Sequence, residues 1–406
     1  IRDINLRNIN INANLLGMPN TARNFTILFD NAPVILPTLT LTGYIDITAG
    51  GVTPTATSGT IAPDVAITQT GVLTVAGTST FTVETVQQAD VLLAYYANDL
   101  AGAVTITTAN GGTIRDVALR NINPSANLLG VPTILRNLTI IFDNAPVVLP
   151  LTTLTGNLIV IAGGDISQVD VVTVAGTSSL NAGPHAITLD NPNNDFGGAV
   201  SMINTGPNNI LINDVNNIIF GTSTIGSGTL TVNAIGITQV GPITQEAAAG
   251  AATFNSGSGA IVLTDPGNDF TGPVILNTTG SADASVVDSN AIILGASTVA
   301  GNLYVTAHGD ITQTGVLLVS GDAYGASLLC DAVAARERIA QMPRILHKPV
   351  PRDELVREIE ALGRANLPRS GTFALDKRGF RLWAGEDDTG FQMMYLRRGG
   401  GYYFNV

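Results

Sequence analysis

IRDVALRNIN, residues 114–123, repeats IRDINLRNIN of residues 1–10, and the copy runs on without a gap at a constant offset of 113 residues. LFDNAPVILP at Leu28 returns as IFDNAPVVLP at Ile141, so residues 1–51 and 114–164 are one unit written twice. A unit that recurs in this way cannot bury its apolar face alone and stacks on its neighbours, as in solenoids. Inside the unit, clusters such as NFTILFD at Asn24 and TLTLTGYIDITA at Thr38 are rich in β-branched residues and separated by Asn, Gly and Pro. They predict short strands with tight corners. FDNAP, at Phe29 and again at Phe142, marks a corner, because Asp and Asn tolerate turn conformations and Pro cannot donate to a strand ladder.

Beyond Gly51 the offset changes. Ile67 of AITQTG matches Ile166 of DISQVD at 99 residues, which leaves 14 extra residues, VTPTATSGTIAPDV, in the first copy. They read as a surface-loop insertion over a coil that still stacks. TVAGTST at Thr74 and TVAGTSS at Thr173 form one further series, and NDLAGAV at Asn98, NDFGGAV at Asn194 and NDFTGPV at Asn268 another. A second register of 74 residues relates 181–241 to 255–315, with GTST at Gly221 and ITQVG at Ile237 returning as GAST at Gly295 and ITQTG at Ile311. Two interleaved lengths imply a smaller shared coil. At about 20 residues per coil, residues 1–319 predict roughly 15 coils and a rod roughly 70 Å long. The expected fold is mainly β: a right-handed parallel β-helix, or β-solenoid, with Ile, Val, Leu and Phe inside and Asn and Thr stacked at corners.

Composition agrees. Charged residues are only 12% of the chain and glycines number 44, so solubility must come from Asn, Thr, Ser and backbone. Every apolar run is cut within about ten residues, short of the roughly 20 that a spanning helix needs, and no transmembrane span is expected. The net charge of −12 argues against nucleic acid and anionic membranes as partners. A single cysteine, Cys330, excludes a disulfide framework within one chain and reads as a small buried hydrophobe. With neither an initiating Met nor an apolar signal segment at Ile1, the chain reads as a fragment or mature product.

A boundary is expected near residue 320. Before it there is no Lys, and the only arginines are Arg2, Arg7, Arg23, Arg115, Arg120 and Arg136, three pairs from the duplicated unit. All other basic residues follow it. Residues 320–364 read as helical, through AYGASLLCDAVAARERIA at Ala323 and a second helix from Pro351 in which Leu355, Ile359 and Leu362 share a face. Residues 365–406 turn loop- and strand-like and match no motif.

Residues 1–319 resemble the repeats of filamentous-haemagglutinin-like bacterial surface adhesins, through TLTGNLIVIAGGDISQ at Thr153, GASTVAGNLYVTAHGDITQTG at Gly295 and the NDF units. The resemblance implies an exported β-helix that projects adhesive elements from the cell surface. Residues 317–363 look like the C-terminal half of a response-regulator receiver domain. Ser320 falls on that family's switch Ser/Thr, and Lys348 with Pro349 falls on its Lys-Pro pair. The resemblance implies phosphoryl contact for Lys348, but the positions of the acidic pair and phospho-accepting Asp belong to the repeat. GVLLVSG at Gly315 matches the repeat's own GVLTVAG at Gly71 equally well.

Candidate chemistry is sparse. His185, His308 and His347 have no ligand-spaced partner and read as corner or surface residues. The Asn-Asp pairs at Asn98, Asn194 and Asn268 read as repeated turns in preference to catalytic carboxylates. GGxGxD nonapeptides, EF-hand loops, GxSxG and phosphate-loop patterns are absent. The expected function is a non-enzymatic, adhesin-like cell-surface or secreted rod with loop-borne contacts, without cofactor, catalytic residue or metal, whose partners are host or cell-surface glycans or proteins. The alternatives are a β-helical carbohydrate-active enzyme and a signalling protein with a truncated, phosphorylation-incompetent receiver module.

Overall fold

The structure, a computed structural model, describes residues 1–52 and 64–327, together with the backbone of strands Ser370–Ala374, Phe380–Asp387 and Gly390–Arg397. The fold is mainly β, a parallel β-solenoid of about 15 turns, and no helix occurs among the described residues. The chain divides into two compact units, Ile1–Asp214 and Val215–Val406.

The strand period of two builds the core of the first unit. Along Asn24–Phe29, burial alternates strictly: Phe25, Ile27 and Phe29 are buried, while Asn24, Thr26 and Leu28 face outward. The chain turns two corners through Val34–Leu36 and Leu39–Leu41 and returns as Ile45–Ala49, which lies parallel to Asn24–Phe29 with Phe25 opposite Ile45 and Ile27 opposite Ile47. One coil therefore has three sides. The next coil repeats them: Val65–Gln69 on Val34–Leu36, Leu73–Val75 on Leu39–Leu41, and Ser79–Val83 on Ile45–Ala49. The expected insertion lies between Ala49 and Val65, and its residues 53–63 are outside the described ones.

The two copies of the duplicated unit do not occupy the same sides. In the first, Asp3–Asn8, Asn24–Phe29 and Ile45–Ala49 make one side. Their counterparts, Thr113–Asn121, Asn137–Phe142 and Leu158–Ala162, instead continue the side that begins with Val34–Leu36, through Val65–Gln69 and Gln88–Leu100. The second copy starts one side further round.

The second unit stacks Ile218–Phe220, Ile237–Gln239, Ile261–Leu263, Ala284–Asp288, Leu303–Ala307 and Ala323–Ser327 along one side. Leu230–Asn233, Ala252–Asn255 and Val274–Asn277 stack along another. Inside, Phe254 meets Phe220 and Phe270 edge-on at 6.2 and 6.0 Å. Ala323–Ser327, expected to open a helix, is a strand. Ala323 lies opposite Leu303 and Tyr324 stacks on Tyr304 at 4.9 Å, so pairing with the edge of the coil overrides local helix propensity. The repeat pairing thus runs past residue 319. The other expected helices and Cys330 fall within 328–369, outside the described residues. The three strands after residue 369 form an antiparallel sheet.

Candidate functional site

The most elaborated local structure is the corner that carries the Asn-Asp pairs. Because successive strand residues point to opposite faces, the two members of a pair have opposite fates. Asn98, Asn194 and Asn268 are fully buried, whereas Asp99, Asp195 and Asp269 face outward and are half-buried.

The buried amide is saturated. The Asn98 Oδ1 accepts from the Leu73 backbone N–H at 3.0 Å and from Gln69 Nε2 at 2.8 Å. Its Nδ2 donates to Gln69 Oε1 at 3.0 Å and to the Leu93 carbonyl at 2.9 Å. The same reciprocal pair joins Asn194 to Gln168 and Asn268 to Gln239, with the Val172 and Ile243 N–H groups and the Leu189 and Leu263 carbonyls in the corresponding places. A buried amide left unpaired costs about 1–3 kcal/mol per group, so each corner holds two coils together by satisfying its buried asparagine. Two residues after each asparagine, the backbone N–H of Leu100, Phe196 or Phe270 donates one coil further on, to Asn121 Oδ1, Asp214 Oδ2 or Asp288 Oδ2 at 3.0, 3.0 and 2.9 Å. Burial raises the Asp288 carboxyl above the usual carboxylate range, opposed by backbone N–H groups of Asn290 and Phe270.

A glycine closes the corner. The Gly77 N–H donates to the Gly43 carbonyl at 2.7 Å, and the Gly176 N–H to the Gly156 carbonyl at 2.8 Å. A Cβ added at Gly102 or Gly198 would collide with the carbonyl of Gly77 or Gly176 beneath it. The TVAG and ND-x-x-G series are therefore the same corner in consecutive coils.

Outside, the corner presents a column of threonines and one aspartate. Thr21, Thr40, Thr74 and Asp99 stack in register in one place, and Thr153, Thr173 and Asp195 in a second. Thr224, Thr244 and Asp269 form the column of the second unit. Stacked parallel strands space these groups by about 4.8 Å. Asn123 and Asn290 add an amide to two of the columns, donating to Asp99 Oδ1 at 2.6 Å and Asp269 Oδ1 at 2.9 Å. Each column is a strip of hydrogen-bond donors and acceptors with one carboxylate.

Arginine is held in place elsewhere. Arg7, Arg23, Arg115, Arg120 and Arg136 pair bidentately with Asp30, Asp3, Asp90, Asp143 and Asp116 of adjacent coils. Bonds from Arg7 and Arg23 draw the Asp30 and Asp3 carboxyls below their ordinary value.

The other residues singled out in the sequence do not converge. Ser320 is exposed at a corner, where its N–H donates to the Val299 carbonyl and Gly321 stacks on Gly301, so GVLLVSG takes the place of GVLTVAG. Lys348 and His347 lie outside the described residues. His308 is exposed, with Nδ1 3.4 Å from the Asp288 carbonyl oxygen, and His185 is half-buried. No group of three potential metal-ligating residues clusters among the described residues, and no described helix is long and apolar enough to cross a membrane. Sequence reasoning missed Gln69, Gln168 and Gln239. Their signal was the recurrence of ITQ or ISQ ahead of each Asn-Asp pair.

Comparison with curated proteins and with solved structures returns no match. Residues 22–107, 135–203, 207–277 and 281–327 match a family described as repeats of unknown function (DUF5649). The first two matched segments begin 113 residues apart and the last two 74 apart, the same offsets that separate the sequence copies. Together they span more than half of the chain, which belongs to that family of repeats.

Proposed function

We propose that the chain is a non-enzymatic, adhesin-like scaffold, displayed at a cell surface or secreted, that contacts glycans through the columns on its corners. The observation that carries this reading is the recurrence of Thr-Thr-Asp in three separate columns on the outward face of the strands. Neighbouring hydroxyl, carboxylate and amide groups at a regular spacing suit a polyhydroxylated ligand. The resemblance of the repeats to exported surface adhesins points the same way. The chemistry of the corner is otherwise spent inside the coil, because the buried amides are fully paired.

The test is binding of the full chain to a panel of neutral and acidic glycans, before and after Thr→Val at Thr40, Thr74, Thr153, Thr173, Thr224 and Thr244. Valine keeps the shape and strand preference and removes the hydroxyls. The expected result is at least a tenfold loss of binding with an unchanged melting temperature. Absence of glycan binding by the parent chain, equal binding by the variant, or cleavage of the glycan would overturn the proposal.

A further inference from the structure

The three Asn-Asp corners are built to one length and differ in one place. Between the leucine whose carbonyl each buried asparagine holds and the asparagine itself lie four residues: 94–97 before Asn98, 190–193 before Asn194 and 264–267 before Asn268. The second and third segments are turns that hold themselves. Asn191 Oδ1 accepts from the Asn193 N–H at 3.0 Å, Asp265 Oδ1 accepts from the Gly267 N–H at 2.8 Å, and each segment contains a proline. The first segment reads Ala-Tyr-Tyr-Ala and has none of these turn residues.

Residues 94–97 are pushed out of the coil. Leu93 lies opposite Leu119 and Asn98 opposite Asn121, so five steps of this chain face two of its neighbour, and 94–97 pair with no strand. The excursion leaves Tyr95 74% and Tyr96 37% exposed. Elsewhere the chain sorts its rings: every phenylalanine among the described residues with placed side chains is buried, and Tyr304 and Tyr324 stack on each other. Tyr95 and Tyr96 stack on no ring among the described residues. Rings left in water add no burial energy to the fold, so the strand preference of tyrosine does not account for them where a turn sequence serves twice. Tyrosine does offer a binding partner a flat apolar face with a polar tip, at little entropic cost.

We propose that residues 94–97 are a stacking platform for an uncharged pyranose, which sets the first column apart from the other two. The inference rests on the glycan reading of the columns and adds the class of sugar. The platform stands next to the column: Tyr96 precedes Asp99 by three residues, and Asp99 is in register with Thr74 and Thr74 with Thr40. A pyranose has two chemically different parts, a face of C–H groups and a rim of hydroxyls. The face lies on a tyrosine ring, and the rim meets the threonines and Asp99, whose Oδ1 also accepts from Asn123. An acidic sugar is disfavoured. No Lys or Arg lies between Arg23 and Arg115, and Arg115 and Arg120 are engaged by Asp90 and Asp143, so Asp99 repels a sugar carboxylate without a neighbouring cation to offset it.

The experiment measures binding of the full chain to cellohexaose and to its C6-oxidised counterpart, β-1,4-hexaglucuronate, by calorimetry. In one variant the excursion takes the chain's own turn sequence, through Ala94→Asp, Tyr95→Asn, Tyr96→Pro and Ala97→Asn, which keeps its length. A second, Tyr95→Ala with Tyr96→Ala, removes the rings without altering the turn, and a third, Tyr95→Phe with Tyr96→Phe, keeps them. The parent is expected to bind cellohexaose about tenfold more tightly than hexaglucuronate. The first two variants should lose about tenfold in affinity for cellohexaose at an unchanged melting temperature, and the third should stay within about twofold of the parent. Full binding by both ring-free variants, beside a loss in the Thr→Val chain, sinks the platform and leaves the glycan reading standing. An equal loss in the phenylalanine variant rules out stacking on the ring face, and equal affinity for hexaglucuronate rules out the uncharged class. If the parent binds neither probe the platform is refuted, and the glycan reading falls with it only when the whole glycan panel is negative as well.

Discussion

The two units build the same amide corner but join successive coils by different chemistry elsewhere. In Ile1–Asp214, five arginines bridge to aspartates one coil away. The sequence contains no Lys or Arg between Arg136 and Arg336, so the described coils of the second unit lack cations for such bridges. They use an amide ladder instead, with Asn255 Nδ2 donating to Asn233 Oδ1 and Asn277 Nδ2 to Asn255 Oδ1, both at 2.8 Å, above an edge-to-face row of phenylalanines. The coil therefore tolerates either form of stapling, provided its corner amides and inward residues are kept.

Four substitutions and one titration break or sharpen this contrast. The largest effect belongs to the aromatic row: Phe254→Ala removes a fully buried ring with two ring neighbours and is expected to cost about 3–5 kcal/mol, read by denaturant unfolding. Asn98→Ala in the first unit and Asn268→Ala in the second should be equally harmful, at about 3 kcal/mol each, because both strand a glutamine amide and a backbone N–H. Unequal costs would show that the corner is not the shared determinant. Asp90→Asn affects the first unit alone. It leaves Arg115, 16% exposed, without its anion, and about 2 kcal/mol is expected, less than the full cost of breaking a buried pair.

Acid produces the smallest and most diagnostic difference. Asp3 and Asp30 have folded values below their ordinary 3.8, so their contribution is complete above that value and is lost as pH falls through the lower folded value. Asp288 is shifted upward by burial, so its contribution is complete below 3.8 and is lost as pH rises through the higher folded value. Asp46, in the first unit, is shifted up by burial as well and behaves like Asp288. Between pH 6 and pH 3, hydrogen exchange corrected for intrinsic rates should speed up around residues 3–8 and 24–30 and slow down around 268–290. Added salt should mimic the first change, weakly because those pairs are exposed, and leave the second alone.

Much of the architecture was legible in the chain. The strand clusters of residues 1–51 recur in 114–164, and a period-two pattern of apolar residues states which side is inward. The corner was legible only in pieces. TVAG and NDF look like separate series because stacking partners are separated by a variable number of residues: Thr74 lies beneath Asp99, and Thr173 beneath Asp195. Nor does composition announce that Asn98 is buried and its neighbour Asp99 is not, since asparagine is mostly an exposed residue. Gln69 and Asn98 are 29 residues apart, and nothing local joins them. Ala323–Ser327 was misread because its alanines favour a helix in isolation, while its pairing partner Leu303–Ala307 lies elsewhere in the sequence.

The displacement of the second copy by one side has a consequence for display. Residues 9–20 and 122–133 are equivalent in the duplication, and each contains ANLLG with an exposed second leucine, Leu16 at 88% in a turn and Leu129 at 68% in the strand Leu128–Gly130. Had the insertion and the intervening coils summed to whole turns, both leucines would share one azimuth. As built, a single unit is presented at two azimuths of the first unit, so duplication here widened the directions from which the same sequence can be reached, as well as adding turns.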